Sequence, residues 1–513
     1  MERVAVVDLG SNSWRLVVYG FERGTPWWSL VDEIREAVRV GAGMGEERLL
    51  RPERVDRALH TAAVFSSFCN ARGIEHIEAV ATSAIRDAVN GAALLEEITR
   101  RTVLEPRVIS GREEARYGAL AIANSTTLED GFGLDIGGGS IQGLRIEARA
   151  MVESESLPLG SVRVSEEFLP GEKATAKRMK ALRGRVRGEL EALGWWGGDG
   201  RLVGIGGTIR NLAAAAMKRL ELPDLDVQGF VLGREPLEEL IELLAERPAS
   251  KRGGVTGIKP DRGDVILGGA LVLAAAMEAG GFDSVEVSEA GLREGIFFER
   301  LLGEQAALGG RGDPDGYVLF EDVRRDSVRN LAHRFDSDPA HAEHVAALSL
   351  EMFDGLAEAG LHDFGGAERE LLWAACLLHD IGTAIDYDDH HRHSHYLILN
   401  AGLPGFTPRE LVLVGLTARY HRKGEPDASE LGALAERGDE RRLRLLCAVI
   451  RLAEQLERSR DRSIRAVRVA SENGALKLET EADPAGDPSV PIWAARRNAD
   501  LLAEATGRSV EID

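Results

Sequence analysis

Cysteine is scarce in this chain. Cys69, Cys376 and Cys447 are the three present, far apart in 513 positions. An odd, scattered set builds neither a disulfide framework nor a Cys-rich metal site, and it suits a reducing cytoplasm. Lysine is scarce too, supplying eight of 63 basic residues. Arginine dominance suits bidentate contacts to oxyanions, although GC-rich coding or a hot habitat gives the same bias. Positive charge as a whole is in deficit, with a net charge of −21. That argues against general binding to nucleic acid or to an anionic membrane, but leaves room for a local basic cleft. The most apolar run, Val265 to Met277, is too short to cross a bilayer and carries Gly268 and Gly269. It is expected to be a core helix. The chain begins at once with an apolar strand, so no signal peptide is expected.

What is present is an alternation of two patterns. Strands are expected at 3–9, 15–22, 76–81 and 106–109, with helices at 52–72, 91–101 and 111–124. A second such unit runs to about 303, with strands near 132–136, 142–147, 202–205 and 284–287. Alternation of this sort predicts α/β sheets with covering helices. Gly309 to Gly316 is turn-rich and reads as a linker. Beyond it, 317–334, 339–360, 367–380, 407–421 and 440–458 carry apolar residues at helical spacing. The tail reads as two short strands, 465–470 and 475–480, and a final helix near 493–506. Four domains are therefore expected, at 1–125, 126–305, 316–462 and 463–513.

One motif occurs twice. Val6-Val7-Asp8-Leu9-Gly10-Ser11-Asn12-Ser13 matches Gly133-Leu134-Asp135-Ile136-Gly137-Gly138-Gly139-Ser140 at a constant offset of 127 residues. Each copy is an apolar strand, an Asp, a small-residue turn and a second strand. Turns of Gly, Ser and Asn let backbone N–H groups converge on an anion, and such concavities bind phosphate. Asp8 and Asp135 would not favour phosphate themselves; they make sense as partners of a divalent cation, Mg²⁺ by preference, or of a water. Facing hairpins would clamp a phosphate chain from both sides. No Gly-Lys-Ser/Thr follows either turn, which excludes a P-loop. A third turn, Gly206-Gly207-Thr208, lies between a strand and a helix. It is either a plain connection or an anion site at a helix N-terminus, with Gly207 and Thr208 as contacts.

Ser110 and Glu113 form a Ser-x-x-Glu capping box, which gives Glu113 a structural task and leaves Glu114 without one. Glu114 is either a favourable charge at the helix N-terminus or a general base for an attacking water. Arg112 and Arg116 beside it read as solvated. Arg86, in a strand-to-helix junction, is either an anion clamp or solvated surface. Lys173 to Arg187 holds seven positive charges and no acid, giving a solvated basic face or a track for a polyanion.

Seven motifs, DLGSNS, ATSAIRDA, SGREEAR, DIGGGS, the Gly-Gly-Thr turn, GIKPDRGDVI and SEAGLREGI, in this order resemble the exopolyphosphatase/guanosine pentaphosphate phosphohydrolase family over residues 1 to about 303. The resemblance implies an actin-like ATPase (ribonuclease H-like) fold with two subdomains around a phosphate cleft. It also implies Mg²⁺- or Mn²⁺-assisted release of terminal phosphate from polyphosphate, or of the 5′ γ-phosphate from guanosine pentaphosphate. By motif match Glu114 takes the role of base, and Asp135 helps place metal or water. Ser11, Asn12, Ser13, Gly138, Gly139 and Ser140 hold phosphates, and Arg86 is a phosphate contact. One position departs: the family's Gly-Gly-Gly-Ser-Thr-Glu is here Gly137-Gly-Gly-Ser-Ile-Gln142. Gln142 offers the cation an oxygen without charge.

The helical half carries His341, His344, an adjacent His379-Asp380, His390 to His395 and His421. This set resembles the HD phosphohydrolase superfamily over about 317–460, with Glu454 in place of the usual downstream Asp. His341, His379, Asp380 and Glu454 form a candidate site for a second divalent metal. A metal site, an inert remnant and a second working phosphohydrolase all stay open. His393 and His421 with Arg392, Arg422 and Lys423 make a candidate basic patch. The expected protein is a cytoplasmic, homodimeric exopolyphosphatase, with a helical half that binds distal polyphosphate or forms the dimer interface. Its rivals are a guanosine pentaphosphatase, a polyphosphate-binding regulator weakened by Gln142, and a kinase on the same fold.

Overall fold

The computed structural model describes every residue except 24, 26, 308–315, 336–337 and 473. The expected linker therefore lies, apart from Gly316, outside the described residues. The chain divides into two compact units, Met1–Leu220 with Val227–Val323, and Glu221–Asp226 with Arg324–Asp513.

The first unit is built on two sheets. Strands β1 (Glu2–Leu9), β2 (Trp14–Phe21), β3 (Trp28–Glu36), β4 (His76–Ala81) and β5 (Arg107–Val108) lie in the order β3-β2-β1-β4-β5. Strands β6 (Gly131–Ile136), β7 (Ile141–Glu147), β8 (Ala150–Leu157), β9 (Arg201–Ile205), β10 (Val231–Gly233) and β11 (Ser284–Val287) lie in the order β10-β11-β9-β6-β7-β8. Each sheet opens with an antiparallel three-strand meander, and the following strand runs parallel to the first. This repeated plan, with helices packed on the sheets, is the actin-like ATPase (ribonuclease H-like) fold. Strand β2 is buried along its whole length, which its apolar run requires. One core joins Val6, Val17 and Tyr19 of the first sheet to Leu144, Val203 and Ile205 of the second, through Tyr117, Leu120 and Phe297 of two helices between them. Helix Ile266–Gly280 is buried on almost every side, as its apolar run predicts.

Strands β3 and β8 escape a reading of the sequence. Both are edge strands rich in charge, WSLVDEIRE and AMVESESL. Charged side chains are tolerated there because one side of the strand faces no neighbour. The helix expected at 317–334 begins only at Val323. The side chain of Asn124 holds the preceding segment outside the helix: its Oδ1 accepts from Leu319 N at 2.8 Å and Phe320 N at 3.2 Å, and its Nδ2 donates to Tyr317 O at 2.8 Å. Arg116 is only partly solvated, since it pairs with Glu299 and lies 5.6 Å over the Tyr317 ring. The run from Lys173 is largely helical, over Ala176–Glu191. Its last three cations are ion-paired: Arg183 with Glu238 and Glu278, Arg185 with Glu189, and Arg187 with Glu191. It forms no continuous free track.

The second unit packs helices Val323–Phe335, Pro339–Glu358, Gly366–Leu378, His390–Ala401, Pro408–Arg419 and Asp439–Leu456 around one core. The helix His390–Ala401 was not foreseen, since its histidines mask its apolar spacing. A small sheet follows, β12 (Ile464–Glu472), β13 (Ala475–Ala482) and β14 (Ser509–Ile512), in that order. The single final helix expected is two, Ser489–Arg496 and Asp500–Thr506. Among the described residues, no helix is long and apolar enough to cross a membrane.

Helices Gly111–Ala123 and Leu292–Ala307 approach so closely that a Cβ on Gly295 would strike the carbonyl of Tyr117. Gly295→Ala is expected to destabilise the first unit by about 1–3 kcal/mol, read as a lowered midpoint for its unfolding transition.

Candidate functional site

The two hairpin turns face each other. A Cβ on Gly138 would lie 3.1 Å from Ser11 Cβ and 3.3 Å from the Asn12 amide, and one on Gly139 would lie 2.9 Å from Ser11 Oγ. Ser11 Oγ bonds with Ser83 Oγ at 3.0 Å and accepts from Ala84 N at 3.2 Å, which ties in the start of helix Ser83–Asp87. The carbonyls of both turns are taken up elsewhere: Asn12 O accepts from Arg39 N at 2.8 Å, and Gly138 O from Val162 N at 2.8 Å. Among the described residues, the amides of Ser11, Asn12, Gly138 and Gly139 donate to no protein acceptor. Asn12 Nδ2 is buried and equally unpartnered. The result is a concavity of free donors, which attracts anions.

The aspartates follow from hairpin register. Asp8 pairs with Arg15 across β1 and β2, and Asp135 with Gln142 across β6 and β7. Arg15 and Gln142 are therefore equivalent positions in the two copies. Burial raises the Asp8 pKa, against the opposing charges of Arg293 and Arg15. Burial and the charge of Asp8 push Asp135 up to about 6. Glu114 lies within the same field. Burial pushes it up to about 7; Arg86 pulls down, and Asp135 and Asp8 push further up. The capping box forms as expected, with Glu113 N on Ser110 Oγ at 3.1 Å and Ser110 N on Glu113 Oε2 at 2.8 Å. Glu113 is thereby occupied, and the Glu114 carboxylate turns inward. Arg86 Nη1 donates to Glu114 Oε2 at 3.2 Å and to Ile109 O at 2.9 Å. Arg86 is thus no solvated side chain.

Gln142 Nε2 donates to Ser140 Oγ at 2.9 Å and Ser156 Oγ at 3.1 Å, while its Oε1 is buried without a donor. Two partly buried, mutually repelling carboxylates and an orphaned amide oxygen make an oxygen-only donor set. Asp8, Asp135 and Gln142 therefore fit a hard dication such as Mg²⁺. Ser13 is half-buried at the end of its turn. The third turn is less open: the Arg262 guanidinium covers the space above Gly207, and the Thr208 methyl packs toward Gly269. Gly206 holds φ +90° at the head of helix Gly207–Arg219, beside Asp135 Oδ1. A cavity of about 360 Å³ adjoins Ser11 and Asn12, with Val162, Leu169 and Val265 in its walls.

Four arginines were missed as site residues. Arg15, Arg262 and Arg293 are buried, and Arg210 is half-buried. Arg293 Nη1 reaches Asp8 Oδ2 at 3.4 Å. Arg15 is held down to about 9 by burial, then by Arg293 and Arg210. Arg262 is held down to about 10 by burial, then by Arg35 and Arg210. The Nε atoms of Arg262 and Arg293 are buried without acceptors. The signal available was the hairpin register for Arg15, and the presence of the others in motifs already singled out.

In the second unit His341, His379, Asp380 and Glu454 come together, with Glu454 Oε2 3.0 Å from His341 Nε2 and 3.3 Å from His379 Nε2. The expected basic patch does not form as drawn. His421 is buried, and Asp389 lies 3.2 Å from Lys423 and 3.6 Å from Arg392.

A family model described as the Ppx/GppA phosphatase family matches residues 17–304, and one described as Ppx/GppA phosphatase, domain III, matches residues 323–485. The chain belongs to the Ppx/GppA phosphatase family. Among solved structures it is similar to the Aquifex aeolicus member of the Ppx/GppA family, at 29% identity over 59% of this chain and 98% of that one, with a TM-score of 0.51. A further A. aeolicus structure, of the PPX-GPPA enzyme, matches at 30% identity over 58% and 98% of the two chains, with a TM-score of 0.50. An exopolyphosphatase from Cytophaga hutchinsonii shares the fold at 22% identity over 59% and 98%, with a TM-score of 0.55.

For this Ppx/GppA family member the Glu114 pKa of about 7 sets a pH expectation. A base acts only when ionised, so if Glu114 serves as the base, phosphate release should fall as pH drops through that value. Arg86 favours the ionised form, so Arg86→Gln should move the acidic limb of kcat/KM to higher pH. A limb that stays in place would separate Arg86 from the base.

Proposed function

We propose that this family member is an exopolyphosphatase, removing the terminal phosphate of inorganic polyphosphate by attack of water. The observation that carries the reading is the buried Glu114 carboxylate, poised near neutrality in the field of Asp8 and Asp135, in the unit where two amide-lined turns meet. The terminal phosphoryl group would lie between the turns, its oxygens taking hydrogen bonds from the Ser11, Asn12, Gly138 and Gly139 amides. Glu114 accepts a proton from the attacking water as the water oxygen bonds to phosphorus. The P–O–P bridge breaks, and the bridging oxygen leaves with the shortened chain. Arg86 positions the Glu114 carboxylate and offers its remaining N–H groups to the phosphate. Asp8, Asp135 and Gln142 would hold Mg²⁺, which neutralises phosphoryl charge. Positioning and fixed charges do most of the work in such transfers.

Polyphosphate is favoured over a nucleotide by the cluster of Arg15, Arg210, Arg262 and Arg293. Arg15 and Arg262 are held down by burial and by neighbouring cations, which an anion relieves, and a linear chain carries a negative charge on each phosphate to meet them. Guanosine pentaphosphate carries few phosphates before ribose and base intervene.

Phosphate release from polyphosphate and from guanosine pentaphosphate, with Mg²⁺ and with Mn²⁺, tests the reading. Faster release from polyphosphate is expected; faster release from the nucleotide would reverse the assignment. Binding of polyphosphate with no release under either metal would make the protein a sensor. Glu114→Gln should cut release by about 10²–10⁴-fold, the usual worth of a general base, with polyphosphate affinity kept. Gln142→Glu adds a charged oxygen to the cation site and should lower the Mg²⁺ concentration needed for half-maximal release; an unchanged or raised requirement would remove Gln142 from that site.

A further inference from the structure

Helix Ser161–Phe168 takes up the carbonyls of the second hairpin turn in order. Gly137 O accepts from Ser161 N at 2.9 Å, and Gly138 O from Val162 N at 2.8 Å. The third carbonyl, Gly139 O, is held by a side chain, accepting from Arg163 Nε at 3.0 Å. In a trans peptide the carbonyl and the following N–H point opposite ways. Three carbonyls drawn to the helix therefore turn the N–H groups of Gly138, Gly139 and Ser140 away from it. Among the described residues, none of these three donates to a protein acceptor. Arg163 has a second partner, on helix Ser83–Asp87: its Nη2 donates to Asp87 Oδ2 at 2.7 Å. Asp87 Oδ1 lies 3.9 Å from Arg86 Nε, and Arg86 Nη1 lies 3.2 Å from Glu114 Oε2. A continuous series thus runs from the Gly139 peptide through Arg163, Asp87 and Arg86 to Glu114.

We propose that Arg163 is a positioning residue for the reaction: it orients the last peptide of the second turn and keeps Asp87 from drawing Arg86 off the base. The inference rests on the reading of Glu114 as that base. Asp87 and Glu114 are two carboxylates beside one guanidinium, that of Arg86. Arg163 decides between them, because it occupies Asp87 at hydrogen-bond distance and leaves Arg86 to Glu114. The side chains of Arg163 and Asp87 are 37% and 32% exposed. What holds them is therefore geometry rather than burial, with one planar fork reaching both Gly139 O and Asp87. Among the described residues, Asp87 has no cationic partner besides Arg86 and Arg163. On the helix of Arg163, Glu166 is engaged elsewhere, accepting from Gly43 N at 3.1 Å. Glu114 itself faces Arg86, Asp135 and Asp8.

The test measures kcat, KM and the pH profile of kcat/KM for the full chain in excess Mg²⁺. The substrate is whichever of polyphosphate and guanosine pentaphosphate is hydrolysed faster. Arg163→Ala releases both partners. It should raise KM by about 3–10-fold, the worth of about one net hydrogen bond. It should also move the acidic limb up by about half a unit, as Asp87 competes for Arg86. Arg163→Lys returns a cation to Asp87 without the fork that reaches Gly139 O, so the limb should return to its wild-type pH while KM stays raised. Arg163→Ala with Asp87→Asn removes the competing carboxylate and should restore the limb in the same way. A merely structural loss would not follow this pattern. Circular dichroism checks folding; should Arg163→Ala not fold, Asp87→Asn alone still decides, with its limb expected at or below the wild-type pH. An unmoved limb in folded Arg163→Ala, a shift that Asp87→Asn does not reverse, or a limb raised by Asp87→Asn alone would overturn the proposal. With Glu114→Gln inactive, such a result overturns the role of Arg163 and leaves the base in place. Full release by Glu114→Gln would overturn both.

Discussion

Two aspartates that repel each other stand, partly buried, at equivalent places in two hairpins, and the charge balance of the first unit is built around them. Asp8 raises Asp135, and both raise Glu114. Burial does most to raise Glu114, and this field adds to it against the pull of Arg86. The same field makes the donor set of Asp8, Asp135 and Gln142 receptive to a dication. Rigid packing is what keeps it in place: the core between the sheets fixes the strands from which both aspartates project.

The duplication is not symmetrical in charge. Register places Arg15 opposite Asp8 but Gln142 opposite Asp135. The first hairpin thus brings its own cation, strengthened by Arg293 against Asp8. The second brings a neutral oxygen that lacks a donor. Cationic side chains gather around the first copy, while room for a metal ligand lies on the second. A polyanion with a reacting end has a use for both halves of that division: fixed positive charge along its length, and a cation with a base at its terminus.

The two units differ in donor chemistry. Oxygen ligands and free amides dominate the first, and imidazoles dominate the second. In the second unit the buried Asp380 carboxylate has three imidazole Nε2 atoms within 3.2–3.8 Å of its Oδ1.

Much was legible in the chain itself. The offset between Asp8 and Asp135, the capping box that frees Glu114 and the apolar helix Ile266–Gly280 all rest on local patterns, whose physical meaning does not depend on distant residues. Edge strands β3 and β8 were hidden because charge is tolerated where a strand has no neighbour on one side. The start of helix Val323–Phe335 was hidden because Asn124 acts on it from almost 200 positions away. The amino-acid order by itself determined which turns can bind an anion and which carboxylate is left free, since these follow from residue type and short spacing. Only the tertiary structure decided that Arg15, Arg210, Arg262 and Arg293 converge and that three imidazole Nε2 atoms meet at Asp380. The reason is physical: burial and through-space charge give these groups their character, and neither exists until the chain has folded.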